Sequence, residues 1–382
     1  MKGTLVIISV AVFCSALFVR ITDPLVPTIA ADLAVDPHRV TLLATAFALP
    51  WALIQPIVGP LGDLLGKIRV MSVCLVILAL SALVGAFADN FGLLLASRII
   101  SGAAAGGVSP VGFALVSDLF PVQQRQIAMG RVLTASIVGI LLSGSVSGLL
   151  ADFLGWRGIF VAVGACSAAA AIALVIRRNV AVTPSAPFSL AAVLANYRQV
   201  LSNPRTKICY AAVFVEGVLL FGLMPFIALL LLQVGEPRAL IAGIVISAFA
   251  VGGIVYTAAV RPLVTRFSQP TLMIIGGAGA ALGLVIEAFV PPWPWQIVAL
   301  TVMGFGFYLL HSCIMLQMTE LAPGARGTAV AGHAFSFCLG QAVGPVIYGL
   351  GFLVLGATVS LFAAAAMMVF LGVTVALLLR NA

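Results

Sequence analysis

Residues 41–88 read TLLATAFALPWALIQPIVGP LGDLLGKIRV MSVCLVILALSALVGAFA. Two apolar runs, 41–62 and 68–88, flank a short joint that carries Asp63, Lys67 and Arg69. Each run has the length an α-helix needs to cross a hydrocarbon core, roughly 20 residues. Backbone polar groups in lipid must be satisfied internally, which leaves helices or closed barrels. Barrel strands alternate apolar and polar residues, whereas these runs are continuously apolar, so they read as two antiparallel spanning helices.

The rest of the chain repeats this pattern. Hydrophobic residues make up 63% of the 382 positions and charged residues 8%. Mean hydropathy is +1.24. A water-facing surface carries roughly 25% charged residues, so lipid must be the solvent for most of this chain. Apolar stretches fall at 4–30, 41–62, 68–88, 91–117, 130–151, 158–176, 208–233, 239–260, 270–290, 295–318, 328–351 and 354–379. That predicts an all-α membrane protein of twelve spans, with Pro24 and Pro27 bending the outer end of the first. Met1-Lys2 ahead of an apolar run resembles a signal peptide, but no small-x-small site precedes Arg20, so an uncleaved first span is expected.

The net charge of +8 follows from membrane orientation rather than from nucleic acid binding. With both termini inside, inner loops and helix ends hold Lys2, Lys67, Arg69, Arg125, Arg131, Arg177, Arg178, Arg198, Arg205, Lys207, Arg261, Arg266, Arg326 and Arg380. The outer side holds Arg20, Arg39, Arg157 and Arg238, and Arg98 lies within a span. Fourteen against four is the positive-inside bias expected of a multi-pass protein in a bacterial inner membrane. The six cysteines all lie in apolar stretches without CxxC or metal spacing and read as small packing residues.

The longest polar break divides the spans six and six. The expected organisation is an N-terminal bundle over 1–177, a cytoplasmic linker over 178–206 and a C-terminal bundle over 207–382. The middle of the linker, Phe188 to Val200, could form a short surface helix. The halves repeat at an offset close to 202. Ser117-Asp118-Leu119-Phe120-Pro121, then Arg125, Ala128 and Gly130, is echoed by Thr319-Glu320-Leu321-Ala322-Pro323, then Arg326, Ala329 and Gly332. Gly139, Gly144 and Gly148 echo Gly340, Gly344 and Gly349, and Pro24 matches Pro225. Six-span repeats are a transporter architecture.

On these residues the chain resembles the major facilitator superfamily along essentially its whole length. The most specific stretch is Gly59-Pro60-Leu61-Gly62-Asp63-Leu64-Leu65-Gly66-Lys67-Ile68-Arg69, which resembles that family's signature loop between spans 2 and 3. Arg98 with Gly102, Asp118 with Arg125, and Gly155-Trp156-Arg157 are further matches. The resemblance implies a fold of two pseudo-symmetric six-helix bundles. It also implies a gating latch comprising Gly59, Asp63, Gly66, Lys67, Arg69, Asp118 and Arg125; charges serving topology alone are the alternative. Lys67 and Arg69 could pair with Asp118. The equivalent loop of the second half, Val260 to Arg266, has no acidic residue, so any latch there is asymmetric. Drug-antiporter members carry a Gly-Pro-x-x-Gly-Gly-like stretch in span 5, where this chain has Gly144-Ser145-Val146-Ser147-Gly148; its Gly-Pro pair is Gly344-Pro345, in span 11.

Ionisable residues at membrane depth are costly and read first as functional. Glu216 lies near the middle of span 7, where a carboxyl can trade a proton for another charge or hydrogen-bond between helices. His311 is central in span 10 on one face with Tyr308 and Met315, as a proton relay, a substrate contact or a satisfied interhelical histidine. Arg98, in span 4, matches an arginine that the family resemblance links to proton coupling, against a structural charge partner. Arg20 and Asp23 lie three apart toward the outer end of span 1 and could simply neutralise each other, but Asp23-Pro24-Leu25-Val26-Pro27 resembles a span 1 motif of twelve-span exporters, which implies a cavity-mouth or proton role for Asp23 with Arg20 beside it. Gln341 and His333 are weaker cavity candidates, and Glu287 reads as a rim residue.

No metal-spaced set, Walker loop or nucleophile elbow is present, so no catalytic residue, metal or cofactor is expected. Transport must then run on an ion gradient or downhill. The expected function is proton-coupled efflux (antiport) of a small organic solute by alternating access, with the site between the halves. The alternatives are a symporter or facilitator importing a polar metabolite, and a non-transporting receptor or scaffold. Expected partners are a small-molecule substrate, protons and the lipid bilayer, with the chain acting as a monomer and binding no nucleic acid.

Overall fold

The computed structural model describes residues 2–176, 190–321 and 326–379, and among these the regular structure is entirely helical. Arg177, Arg178, Arg380 and the linker residues 178–189 lie outside them, as do the side chains of Lys2 and Arg326. The chain divides into two compact units, residues 1–188 and 189–382.

The first unit contains α1 (Lys2–Ala16), a 3₁₀ turn (Asp23–Leu25), α2 (Val26–Asp32), α3 (Pro37–Val40), α4 (Leu42–Leu65), α5 (Lys67–Ala86), α6 (Phe91–Leu119) and α7 (Val122–Ile176). The second contains α8 (Leu190–Ser202), α9 (Pro204–Glu216), a π-helical turn (Gly217–Phe221), a 3₁₀ turn (Met224–Phe226), α10 (Ile227–Gln233), α11 (Ala239–Arg266), α12 (Gln269–Ala288), α13 (Trp293–Leu321), α14 (Arg326–Leu355) and α15 (Ala357–Leu378). Ten described helical stretches are long and apolar enough to cross a membrane. One of them, Ile127–Ile176, is two spans joined at Gly155, whose φ of 63° only glycine adopts without strain. The first span is the twelfth. It is broken, and its longer apolar piece, Gly3–Ala16, is too short to be counted alone.

That break is sharper than the expected bend. The last i→i−4 bond of α1 runs from Leu17 N–H to the Phe13 carbonyl, and i→i−3 bonds such as Asp23 N–H to the Arg20 carbonyl carry the chain to α2. Proline has no N–H, and its ring clashes with the carbonyl four residues back, which for Pro24 is that of Arg20. Pro225 does the same in span 7, where the π-helical turn, Gly222-Leu223 and a 3₁₀ turn separate α9 from α10. Elsewhere the ends are local. Asn203 caps α9 by accepting from Arg205 N–H at 3.0 Å, with Pro204 in the first turn. Gly66, at φ 92°, turns the chain between α4 and α5.

The sequence repeat is a packing repeat. In the first unit α1 packs on α7, α4 on α6, α5 on α6 and α5 on α7. In the second, α9 packs on α14, α11 on α13, α12 on α13 and α12 on α15. The closest approaches correspond too. A Cβ on Gly102 would lie 2.1 Å from the Phe47 carbonyl oxygen, and one on Gly304 would lie 1.9 Å from that of Phe249. Small residues are what allow spanning helices to approach this closely. Outward faces are apolar, with Ile254, Leu353, Val354 and Phe370 all exposed, as a lipid solvent requires.

Candidate functional site

Three polar constellations among the described residues stand out, one inside the spans of each unit and one at a joint of the first.

In the second unit Glu216 is the last residue of α9, directly before the π-helical turn. Such turns are rare and frequent at functional sites. The turn can approach α14 because Gly217 has no side chain: a Cβ there would lie 2.5 Å from the Phe337 carbonyl oxygen. Glu216 is fully buried, and its Oε2 lies 2.8 Å from Nδ1 of His311 on α13. His333 of α14 brings its ring to 4.8 Å from that of His311, edge to face. Within this triad Glu216 Oε1 and His333 Nε2 are buried and have no hydrogen-bond partner among the described residues.

Aromatic rings surround this triad. Phe307 and Phe337 lie 4.8 and 5.0 Å from the His311 ring, and Phe221, presented by the π-helical turn, sits 5.1 Å from both phenylalanines. Tyr308 stacks on Tyr256 at 6.3 Å, and the Tyr256 hydroxyl donates to Ser312 Oγ at 2.8 Å. Gly253 leaves room for the Tyr308 ring. Gln341 is buried on α14, one turn beyond Phe337. The arrangement offers an acid and an imidazole that share a proton, flanked by π faces that suit an apolar or cationic organic group.

In the first unit the broken first span gathers Arg20, Asp23 and Arg98. Arg20 Nη1 pairs with Asp23 Oδ2 at 3.2 Å, and Asp23 is fully buried. Arg98, from α6, is also fully buried. It donates through Nη2 to the Phe18 carbonyl at 3.1 Å and through Nε to the Leu43 carbonyl at 3.5 Å, and it stacks 4.3 Å above the Phe47 ring. Phe18 lies where α1 has just ended, among carbonyls without helical partners. Arg98 therefore has a structural occupation, tying the break to α4.

The third constellation is the joint after α4. Lys67 Nζ pairs with Asp118 Oδ2 at 2.5 Å, as the sequence allowed. Arg69 is exposed and Arg125 half-buried. The surroundings of Gly59 and of the Asp63 side chain lie outside the described residues. In the second unit Gln269, at the place of Lys67, accepts from Gln317 Nε2 at 2.8 Å, and Glu320 stands at the place of Asp118.

Two readings change. Glu287 is not a rim residue: it is fully buried on α12, and neither carboxylate oxygen has a hydrogen-bond partner among the described residues. His333, a weak candidate in the sequence, joins the triad. Nothing local signals this, because Glu216, His311 and His333 lie on three helices. Beyond the end of the first span, Arg157 ion-pairs with Asp32 and Trp156 Nε1 donates to it at 3.1 Å. The Arg157 hydrogen bond holds the Asp32 carboxyl below the usual range.

Known proteins place the chain. Residues 8–345 match the family model described as Major Facilitator Superfamily. Quinolone resistance protein NorA of Staphylococcus aureus is 25% identical over 350 residues, 88% of this chain and 87% of that protein. Riboflavin transporter RibZ of Clostridioides difficile is 31% identical over 159 residues, 41% of this chain and 34% of that one. Among solved structures, a bacterial homolog of the human lysosomal transporter Spinster shares the fold at a TM-score of 0.78 and 16% identity, over 99% of this chain and 96% of that one. The chain is a multi-pass membrane transporter belonging to the Major Facilitator Superfamily.

Proposed function

We propose that the chain exports small amphipathic organic solutes in exchange for protons, by alternating access, as a monomer in a bacterial inner membrane with both termini in the cytoplasm. The observation that carries this reading is the buried Glu216–His311 pair beside an aromatic cage. A buried carboxyl can be emptied of its proton only if a cation replaces it or an imidazolium compensates it. Competition between proton and substrate for that carboxyl is what couples their movements. The likeness to a quinolone resistance protein supports efflux of planar amphipathic compounds. Partial likeness to a riboflavin transporter supports a second reading, transport of a polar aromatic metabolite through the same cage.

In this proposal Asp63, Gly66, Lys67, Arg69, Asp118 and Arg125 gate the cycle, and the Lys67–Asp118 pair is one of the contacts that a gating change breaks. Arg20, Asp23 and Arg98 hold the broken first span. Proteoliposomes with an imposed pH gradient and a panel of quinolones, flavins and lipophilic cations test the reading. Gradient-driven movement of at least one class is expected, and Glu216→Gln should abolish it. Transport that ignores the gradient and survives Glu216→Gln would refute proton coupling at this site.

A further inference from the structure

The proposed coupling leaves a question that the triad's geometry answers: how a proton reaches a carboxyl buried in the middle of a span. We infer that His333 is the proton relay between the Glu216–His311 pair and the membrane face at which α14 begins. This rests on the proton-coupled reading above and adds a route to it.

Depth supports the route. At 1.5 Å per residue, Glu216 lies about 18 Å from the start of α9, His311 about 15 Å from the end of α13 and His333 about 10 Å from the start of α14. Those three helix ends share one membrane face by the alternation of the spans. The groups therefore step toward that face in the order Glu216, His311, His333.

Chemistry supports it as well. His311 commits Nδ1 to Glu216, which leaves Nε2 as its open nitrogen. His333 is 1% exposed, and its Nε2 has no hydrogen-bond partner among the described residues. A histidine kept only for packing would leave a buried polar atom unsatisfied, which folded proteins rarely do. Ring centres 4.8 Å apart are close enough for two nitrogens that face each other to lie within hydrogen-bond range. The link between the histidines is open in this arrangement and closes by a side-chain turn.

On α9 the titratable groups are Arg205, Lys207, Cys209, Tyr210 and Glu216. On α13 they are Tyr308, His311, Cys313 and Glu320, on α8 they are Tyr197 and Arg198, and on α14 itself Arg326, Cys338 and Tyr348. The π-helical turn and α15 have none. The Tyr210 hydroxyl donates to the Ala329 carbonyl at 3.2 Å and fills the space beside Gly332.

The transfer balances without a co-reactant. A proton taken up on one nitrogen of His333 frees the proton on the other. His311 accepts that one on Nε2 and yields its Nδ1 proton to Glu216 Oε2. Both rings then turn over to reset. The reverse order empties the carboxyl.

The chain has three histidines, so histidine-labelled protein in nanodiscs gives three ring titrations, with His38, which belongs to the other unit, as an internal control. Glu216→Gln and His311→Gln are each expected to move the His333 midpoint by about half a pH unit or more, as coupled sites do, and leave His38 in place. A His333 midpoint unmoved in both variants would overturn the relay. In proteoliposomes with ciprofloxacin as the probe, His333→Gln is expected to slow gradient-driven movement about tenfold while exchange of labelled for unlabelled probe, which needs no net proton, falls about twofold or less. Equal loss of both, or wild-type gradient-driven movement, would sink the relay alone if Glu216→Gln is inactive. Gradient-driven movement that survives Glu216→Gln would sink the underlying reading with it. If the wild-type protein does not move ciprofloxacin, the titrations decide.

Discussion

Replacing Arg98 separates a structural arginine from one that serves only as a charge. The guanidinium reaches two carbonyls on two different spans, Phe18 and Leu43, and covers the Phe47 ring. The 3.1 Å bond to Phe18 is charge-assisted and contributes about 1.5–3 kcal/mol. The 3.5 Å bond to Leu43 is long and contributes little. A desolvated cation over an aromatic face adds about 2 kcal/mol. Arg98→Met removes these and leaves the Phe18 carbonyl at the helix break without its donor, for a loss of about 3–5 kcal/mol. Arg98→Lys keeps the charge, but an ammonium cannot reach both carbonyls from one plane or stack like a guanidinium. It should lose most of the same amount. In a unit of this size each kcal/mol lowers the melting temperature by about 2–4 °C, so both variants should melt roughly 10 °C low. The assay is tryptophan-fluorescence melting in detergent, read alongside monodispersity. If Arg98→Lys melts like the wild type, the carbonyl-tying argument is wrong and charge alone is what the site uses.

Glycine positions give a matched pair. Gly304→Ala forces a Cβ to 1.9 Å from backbone and should cost about 3 kcal/mol or more, whereas Gly130→Ala meets nothing within 4 Å and should be neutral or stabilising by up to about 1 kcal/mol; equal melting shifts would contradict the packing. Lys67→Asp or Asp118→Lys alone should each impair transport, and the charge-swapped double variant should recover a measurable part; no recovery would mean that the pair is not what the gate uses. Asp32 has a depressed folded-state pKa, so its tie to Arg157 and Trp156 is in place above the unfolded carboxylate value, about 4, and fades as pH falls through the folded value. Asp32→Asn should therefore lower the melting temperature at neutral pH but not in strong acid, and a difference that persists there would assign the effect to packing.

Much of this protein was legible along the chain. Hydropathy over some twenty residues is a local sum, so the spans could be read without their partners. The 202-residue offset carried the repeat, and the structure turned it into matched approaches at Gly102–Phe47 and Gly304–Phe249. The Lys67–Asp118 pair was legible because both residues flank loops on one face. What stayed hidden is azimuth. Whether Glu287 faces a rim or an interior, whether Arg98 meets an acid or two carbonyls, and whether Glu216 finds His311 depend on how each helix is rotated about its axis. That rotation is set by close packing against neighbours far away in sequence. The sequence by itself determined the solvent, the number of spans and the twofold repeat, because these follow from apolar length and spacing. Only the tertiary structure decided that an acid on α9, an imidazole on α13 and another on α14 stand together, because only helix packing brings three separate spans to one point.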